Sequence, residues 1–445
     1  MPAIHNKFYS VTQKFLVPIA AMLCLCAHAG EAENPQTLIS AANAGNTAAM
    51  TALGACYRDG DGIEENMQEA VKWFRKAADA GDTDAMWNLA LQYLYGDGVE
   101  EDMSEAVKWF KKAADAGNTS AMNQLGIRCD IGIRGEKTTD EAVRWFRKAA
   151  EAGDIDATFN LGLYYYVTLF GGEENRDEAA KWFLKAAEAG DAEAMYMLGN
   201  CCYFGIGAEK NMKEAAKWFL KAANAGSPPA MYTAALCFCT GEGVEKNIDE
   251  AVRWFLKIPA DSAERKSLMH NLVFEKWNGS VGYWAGFARW DRCTVREIVE
   301  SLRKTAEAGN TNAMHLLGQC YSADFFLDLE ELSWDERKTE GIKWCRKAAE
   351  AGNASAMRSL SSCYNGVFSY YDAVFGVLRR DEAEAAKWLR KAAEAGDTDA
   401  MDTLGYYYKT GRCGIEKDSA KAAEWRRKWQ RKVREKDRAR IGRLL

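Results

Sequence analysis

The chain has 445 residues, of which 48% are hydrophobic and 27% charged. That length exceeds a single compact core, and that composition excludes a chain disordered throughout. The 58 basic residues stand against 64 acidic ones, a formal net charge of −6, and only four histidines are present; the whole chain is therefore no generic polyanion binder, and little material is left for histidine-based catalysis or metal binding.

The first element is an address. Residues 1–14 carry Lys7 and Lys14 and no acid, Phe15 to Ala27 is an apolar run, and Ala27-His28-Ala29 offers small residues for cleavage. This is the layout of a secretory signal peptide over residues 1–29. The run falls short of the ~20 residues that span a bilayer, so cleavage near Ala29 and a periplasmic or secreted bacterial protein are expected, with no membrane span afterwards. Removing 1–29 deletes two lysines and no acid, giving a mature charge of −8. It also deletes Cys24 and Cys26, leaving 11 cysteines, an odd number that cannot pair completely.

From there on the chain repeats itself. The glycine of A-G-(N/D)-x-x-A-M, with variants, falls at Gly45, Gly81, Gly117, Gly153, Gly190, Gly226, Gly309, Gly352 and Gly396. The tryptophan of E-A-x-(K/R)-W falls at Trp73, Trp109, Trp145, Trp182, Trp218 and Trp254, and Trp344 and Trp388 keep the same offset before the next glycine. The long gap between Gly226 and Gly309 holds a degenerate unit, about 261–308, in which Ser301 takes the tryptophan position. Thr294 and Glu297 are expected there at the cap and third position of a helix. Ten units result.

Each unit reads as two helices. In residues 82–117, Asp82 caps a helix whose Ala85, Leu89 and Tyr93 form an apolar stripe, and Gly96-Asp97-Gly98 ends it. Asp102 with Glu105 makes a capping box for the second helix, and Ala106, Trp109, Phe110 and Ala113 form its buried stripe. The same pair is expected as Asn66/Glu69, Thr138/Glu141, Asn175/Glu178, Asn211/Glu214 and Asn247/Glu250. One such pair cannot bury its own apolar faces, whereas stacked pairs can. The fold class is all-α: a right-handed α-α superhelical solenoid of about ten helix-pair repeats over 30–425, followed by a basic helix or tail at 426–445.

The pattern A-M-x-x-L-G-x-x-Y-x-x-G-x-G-V-x-x-(N/D)-x-x-E-A-V-K-W-F-x-K-A-A-x-A-G resembles the Sel-one-like repeat, a relative of the tetratricopeptide repeat, over about residues 37–425. The resemblance implies an adaptor or scaffold for protein complexes in bacterial envelopes, secretion or signalling. Its motif residues are packing residues, so functional side chains are sought in the variable columns.

By analogy with tetratricopeptide units the first helices line the concave face, and the residue after the A-M methionine is expected to point there. That column and the one seven residues on supply Trp87, Phe159, Tyr166, Tyr196, Tyr203 and Tyr232 as candidate anchors for a protein or peptide segment. The same residues equally suit packing between adjacent helices. In the later units these columns turn polar. Longer loops enter in the C-terminal half. One, Gly279 to Trp290, carries Trp284 and Phe287 as further candidate contacts; the others are Asp324 to Trp334 and Gly366 to Leu378. Residues 425–445 hold ten Lys/Arg against Glu435 and Asp437. Trp425, Trp429 and Val433 make their start a capping helix, and the basic remainder reads either as a solvated end or as an anion-attracting tail.

Candidate chemistry is sparse. Cys56, Cys201, Cys237, Cys320 and Cys363 share one column, the mark of a small buried position, and no Cys/His spacing fits a metal. Equivalent sites in stacked units lie about 9–10 Å apart, beyond disulfide reach. Cysteine-rich members of the resembled family are linked to β-lactam binding and hydrolysis, so an envelope enzyme of that type is the alternative reading. Ser301-Leu302-Arg303-Lys304 matches S-x-x-K and Lys409-Thr410-Gly411 matches K-T-G, but no S-D-N accompanies them. The expectation is a monomeric, non-enzymatic scaffold without cofactor, metal, catalytic residue or nucleic-acid partner.

Overall fold

A computed structural model describes residues 35–131, 139–167, 173–259, 262, 265, 292–322, 334–365 and 381–441. The expected signal peptide and the expected loops over 279–290, 324–333 and 366–378 lie outside these, as do Trp284 and Phe287. The chain divides into two compact units, Met1–Asp191 and Ala192–Leu445. Among the described residues every regular element is an α-helix.

The first unit comprises α1 (Pro35–Asn43), α2 (Thr47–Asp59), α3 (Met67–Asp79), α4 (Thr83–Tyr95), α5 (Met103–Asp115), α6 (Thr119–Ile131), α7 (Thr139–Glu151), α8 (Ile155–Val167) and α9 (Glu173–Glu188). The second unit opens with α10 (Ala192–Phe204), α11 (Met212–Asn224), α12 (Pro228–Thr240) and α13 (Ile248–Lys257). It continues with α14 (Arg292–Glu307), α15 (Thr311–Ser322), α16 (Trp334–Glu350), α17 (Ala354–Asn365), α18 (Glu382–Glu394), α19 (Thr398–Thr410) and α20 (Ser419–Ile441). Within each unit consecutive helices pack on one another as an array of helix pairs.

The sequence dictates this plan through its helix ends. All nine repeat-ending glycines have φ between 93° and 99°. At Gly81 an added Cβ would meet nothing within 4 Å, so the backbone angle alone demands glycine there. The turn closes as Asp82 N donates to Ala77 O at 3.0 Å, and the Asp82 side chain accepts from Ala85 N at 2.8 Å. The turn inside each repeat is fixed by the next cap residue reaching back to the first helix: Asn66 N donates to Tyr57 O at 2.8 Å, and Asn247 N to Phe238 O at 2.8 Å. Asn66, Asp102, Asn211 and Asn247 cap their second helices as expected. Two expected caps are displaced. α9 begins at Glu173, two residues before Asn175. α14 begins at Arg292, two residues before Thr294. Thr138 lies outside the described residues.

The core of each pair is a ring set over a glycine. Phe74, Phe146, Phe183 and Phe219 lie where a Cβ on Gly54, Gly126, Gly162 and Gly199 would fall, 2.5–2.8 Å from ring carbons. These phenylalanines are almost fully buried, each contributing roughly 1.5–3 kcal/mol of transfer free energy. Each tryptophan of the E-A-x-(K/R)-W motif is covered by the lysine three residues on, as in Trp109 with Lys112 Nζ 3.8 Å from the ring centroid. In the degenerate unit the second helix survives as α14, with Ile298 and Leu302 fully buried. Its first helix lies outside the described residues. α20 runs unbroken across the expected boundary at 425–426, and Trp425 is buried in the last core.

Candidate interaction surface

The column after the A-M methionine does not open onto a groove. Trp87 packs on Phe110 with ring centroids 5.3 Å apart, Tyr196 on Phe219 at 5.7 Å, and Tyr232 on Phe255 at 6.3 Å. Tyr166 meets Phe183 edge-on at 6.0 Å. Tyr203 donates its hydroxyl to Glu242 Oε2 at 3.0 Å and meets Phe204 edge-on. All five are buried, from 2% exposed at Tyr232 to 8% at Tyr196 and Tyr203. Phe159, against Phe183 at 5.8 Å, is half-buried. The expectation of an open aromatic stripe is corrected on this point. All but Tyr203 pack on the motif phenylalanine of their own repeat, and five of the six lie inside.

The polar columns of the later repeats are also engaged. His315 Nε2 lies 3.0 Å from Ser359 Oγ, and Arg358 Nε donates to Asp397. Burial first, then the cations Arg265 and Arg358, push the His315 imidazole down to about 3, so it is neutral. Arg265 is itself buried and donates to Phe255 O.

Exposed apolar side chains lie at a position the sequence reading passed over, the last residue of the first helix. Tyr95 and Val167 are 45% and 42% exposed in the first unit, and Phe204 is 41% exposed in the second. The signal was available: the last residue of the first helix reads Asp59, Tyr95, Ile131, Val167, Phe204, Thr240, Ser322, Asn365 and Thr410, and no packing column accounts for a ring there.

Beside Tyr95 the first unit holds polar side chains at a core position. The shared cysteine column contains Gln92 and Arg128 in repeats two and three. Arg128 donates to Gln124 Oε1 at 3.3 Å, and both Gln92 and Gln124 are buried. In the repeats that keep cysteine, Cys201, Cys237, Cys320 and Cys363 are buried and in no disulfide among the described residues, while Cys56 is half-buried. Burial pushes the Cys201, Cys237 and Cys320 thiols up to about 12, which keeps them protonated and unreactive. Among the described residues no three metal-ligating side chains gather, and no helix is long and apolar enough to cross a membrane.

The hydrolase fragments do not meet as chemistry. Ser301 is buried on α14 and donates to Asp249 Oδ1 at 2.7 Å, whereas Lys304 pairs with Glu300 at 3.5 Å. Thr410 Oγ1 donates to Tyr406 O, and Gly411 is the cap that ends α19. At the C-terminus Trp425 is docked, with Trp429 partly buried beside it.

The Sel1 repeat family matches the chain in nine segments, 47–82, 83–118, 119–154, 155–191, 192–227, 228–258, 311–353, 354–397 and 398–429. The unmatched interval is the degenerate unit. No curated protein matches the chain. Among solved structures it is similar to c5321, a protective antigen of uropathogenic Escherichia coli strains displaying an SLR fold, at 27% identity over 95% of this chain and 92% of that one, with a TM-score of 0.49. It is also similar to a Sel1 repeat protein from Oxalobacter formigenes, at 30% identity over 52% of this chain and 99% of that one, with a TM-score of 0.45. The immunity protein Pa5087 of Pseudomonas aeruginosa matches at 24% identity over 47% of this chain and 75% of that one, with a TM-score of 0.32. With nine repeats matched between residues 47 and 429, the chain belongs to the Sel1 repeat family.

Proposed function

We propose that this chain is an exported, monomeric, non-enzymatic scaffold that holds an extended segment of a partner protein along the face lined by its first helices. The observation that carries the reading is the recurrence, within the first unit, of exposed apolar side chains at the last position of the first helix, Tyr95 and Val167; the second unit, taken by itself, has Phe204 at the same position. A rigid array that presents such side chains at repeat intervals suits a chain-like partner better than a small molecule. Phe159 is half-buried on α8, the helix that ends at Val167, and is the further candidate contact of the first unit. Export rests on the leader-like residues 1–29. The burial of the free thiols is compatible with it, because a buried, protonated thiol resists oxidation. The engagement of Ser301 with Asp249 argues against a serine nucleophile.

The test is site-specific photo-crosslinking in the producing cell. A benzophenone side chain at position 95 or 159 should yield a discrete partner adduct, and the same group at exposed Lys111 on a second helix should not. Equal labelling from all three positions, or none from 95 and 159, would sink the docking face. Purified protein should show background β-lactam hydrolysis only; turnover abolished by Ser301→Ala would overturn the non-enzymatic reading.

A further inference from the structure

In the second unit each first helix is covered by the first helix of the following repeat. Ser227 Oγ, at the cap of α12, donates to Glu193 Oε1 on α10 at 3.0 Å. His315 Nε2 on α15 lies 3.0 Å from Ser359 Oγ on α17. From α17, Arg358 Nε donates to Asp397, the cap of α19, and Asn365 Nδ2 donates to the Tyr407 hydroxyl near the end of α19 at 3.1 Å. Start meets start and end meets end, so the covering helix runs parallel to the helix it covers.

The same columns in repeat ten hold Asp399, Asp402, Tyr406 and Lys409, in register with Glu193, His315, Leu236 and Asn365. Their spacing puts all four on one face of α19. That face is open. Tyr406 is 47% exposed, more than any other large hydrophobic side chain among the described residues, whereas Asn200 and Leu236 in its column are 3% exposed. Asp399, Asp402 and Lys409 are exposed as well. α20 approaches α19 at Gly405, where an added Cβ would lie 3.7 Å from Ala422 O and Trp425 Cβ, and leaves this face uncovered.

The open face is also polarised. Acids stand at its start, the tyrosine in its middle and bases at its end, with the Arg412 guanidinium 5.6 Å from the Tyr406 ring centroid. Asp399 lies 3.6 Å from Arg358 of the preceding repeat, while Asp402 and Lys409 make no ion pair among the described residues. A helix carries partial positive charge at its start and partial negative charge at its end. One laid parallel to α19 therefore sets its start beside Asp399 and Asp402 and its end beside Lys409 and Arg412. A second copy of this chain in that orientation would set acid against acid and base against base.

We propose that this face of α19 binds a helix of a partner protein, laid parallel to α19 as an added first helix. The chemistry of the face specifies a basic residue in the first turn of that helix, an apolar side chain over Tyr406 and an acid in the last turn. The contact is separate from the docking face at Tyr95 and Phe159, and the crosslinks that test that face do not bear on it.

The experiment titrates the purified mature chain with a stapled helical peptide of the length of α19, 13 residues, with Lys in its first turn, Leu at its centre and Glu in its last turn. Saturable binding is expected. Tyr406→Ala should weaken it about tenfold or more, and Tyr406→Phe should retain it. Asp402→Lys, at an exposed position, should weaken it too. Tyr406→Ala should hold the unfolding midpoint within about 2 °C of wild type, because the ring is half exposed. A benzophenone at the start of the peptide should crosslink near Asp402, and one at its end near Lys409. Absent binding, binding indifferent to Tyr406→Ala and Asp402→Lys, or the reverse order of crosslinks would overturn the proposal. Equal affinity for an unstapled peptide with a central proline would make the occupant an extended segment and overturn the helix. A dimer in sedimentation that Tyr406→Ala dissociates would give the face to a second, antiparallel copy and overturn the partner.

Discussion

In repeats five and six, Phe219 and Phe255 lie fully buried beneath Tyr196 and Tyr232. In repeats eight and nine the equivalent positions hold Cys345 and Leu389 beneath His315 and Arg358. Both pairs belong to the second unit and share the same helix plan. Where the ring is lost the space is filled by closer backbone. A Cβ on Gly318 would fall 2.8 Å from Gly341 O and 2.6 Å from Cys345 Sγ, whereas on Gly199 it would meet ring carbons of Phe219. The column's contacts, aromatic and within one repeat in the first case, are polar and reach the next helices along the chain in the second, through His315 to Ser359 and Arg358 to Asp397. A column that varies from Trp to Tyr to His can therefore lie inside at each of these residues. Variation between repeats records how each interior is filled and does not by itself mark a surface.

The largest effect expected from this contrast is at the aromatic pair. Tyr232→Ala should destabilise the chain by about 3–5 kcal/mol, because it deletes a fully buried ring and leaves a cavity over Phe255. Tyr196→Ala should cost nearly as much. Denaturant unfolding of both variants checks this. Stability unchanged in either would return the ring to the surface and restore the open-groove reading.

Next comes acid sensitivity, confined to repeats eight and nine. His315 is neutral in the fold, held down to about 3 by burial and by Arg265 and Arg358, against an ordinary value of 6.5. Between these values the unfolded chain binds a proton that the folded chain does not. Stability should therefore fall as pH drops through 6.5 towards 3, and be complete above 6.5. His315→Gln keeps a hydrogen-bonding side chain against Ser359 and removes the titration. The drop in unfolding midpoint between pH 7 and pH 4.5 should be smaller in this variant than in wild type. Equal drops would mean that His315 is not desolvated in solution.

A smaller effect separates the two ways of filling the glycine column. Gly318→Ala should cost about 1–3 kcal/mol, because the new methyl meets backbone that cannot turn aside. Gly199→Ala should cost less than about 1 kcal/mol, since Ala235 already sits at that position over Phe255 in the next repeat. Reversed costs, measured by thermal unfolding, would break the argument that backbone replaces the ring in repeat eight.

The fold was legible because its determinants are local. The repeat-ending glycines need positive φ whatever surrounds them, and Asn66, Asp102, Asn211 and Asn247 cap the residues three positions on. Asn175 and Thr294 misled because a cap residue identifies a helix start only if nothing upstream continues the turn, and at Glu173 and Arg292 something does. The candidate surface was less legible. Period fixes which residues share a face, and Trp87, Tyr196 and Tyr232 do share one, but not whether that face meets solvent or the next helix. Tyr95, Val167 and Phe204 were readable as apolar residues with no packing column to explain them. The unpartnered atoms Gln92 Oε1 and Arg128 Nε needed coordinates, since nothing in a sequence says which buried polar atoms go without a hydrogen bond among the described residues.

The smallest effect tests what the two regions have in common. Asn247 caps α13 in repeat six, and Asp381 caps α18 in repeat nine. Their oxygens accept from the backbone N–H three residues on, at 3.0 Å in both cases. Asn247→Ala and Asp381→Ala should each cost about 1 kcal/mol. Asp381 carries a charge at a helix N-terminus and should lose a few tenths more at low salt, a margin that added salt removes. Equal costs at high salt would show that the interior differs between the regions while the frame of caps and glycines is held constant. A cap worth markedly more in repeat nine would mean that, once the ring is gone, the frame carries the load the core has given up.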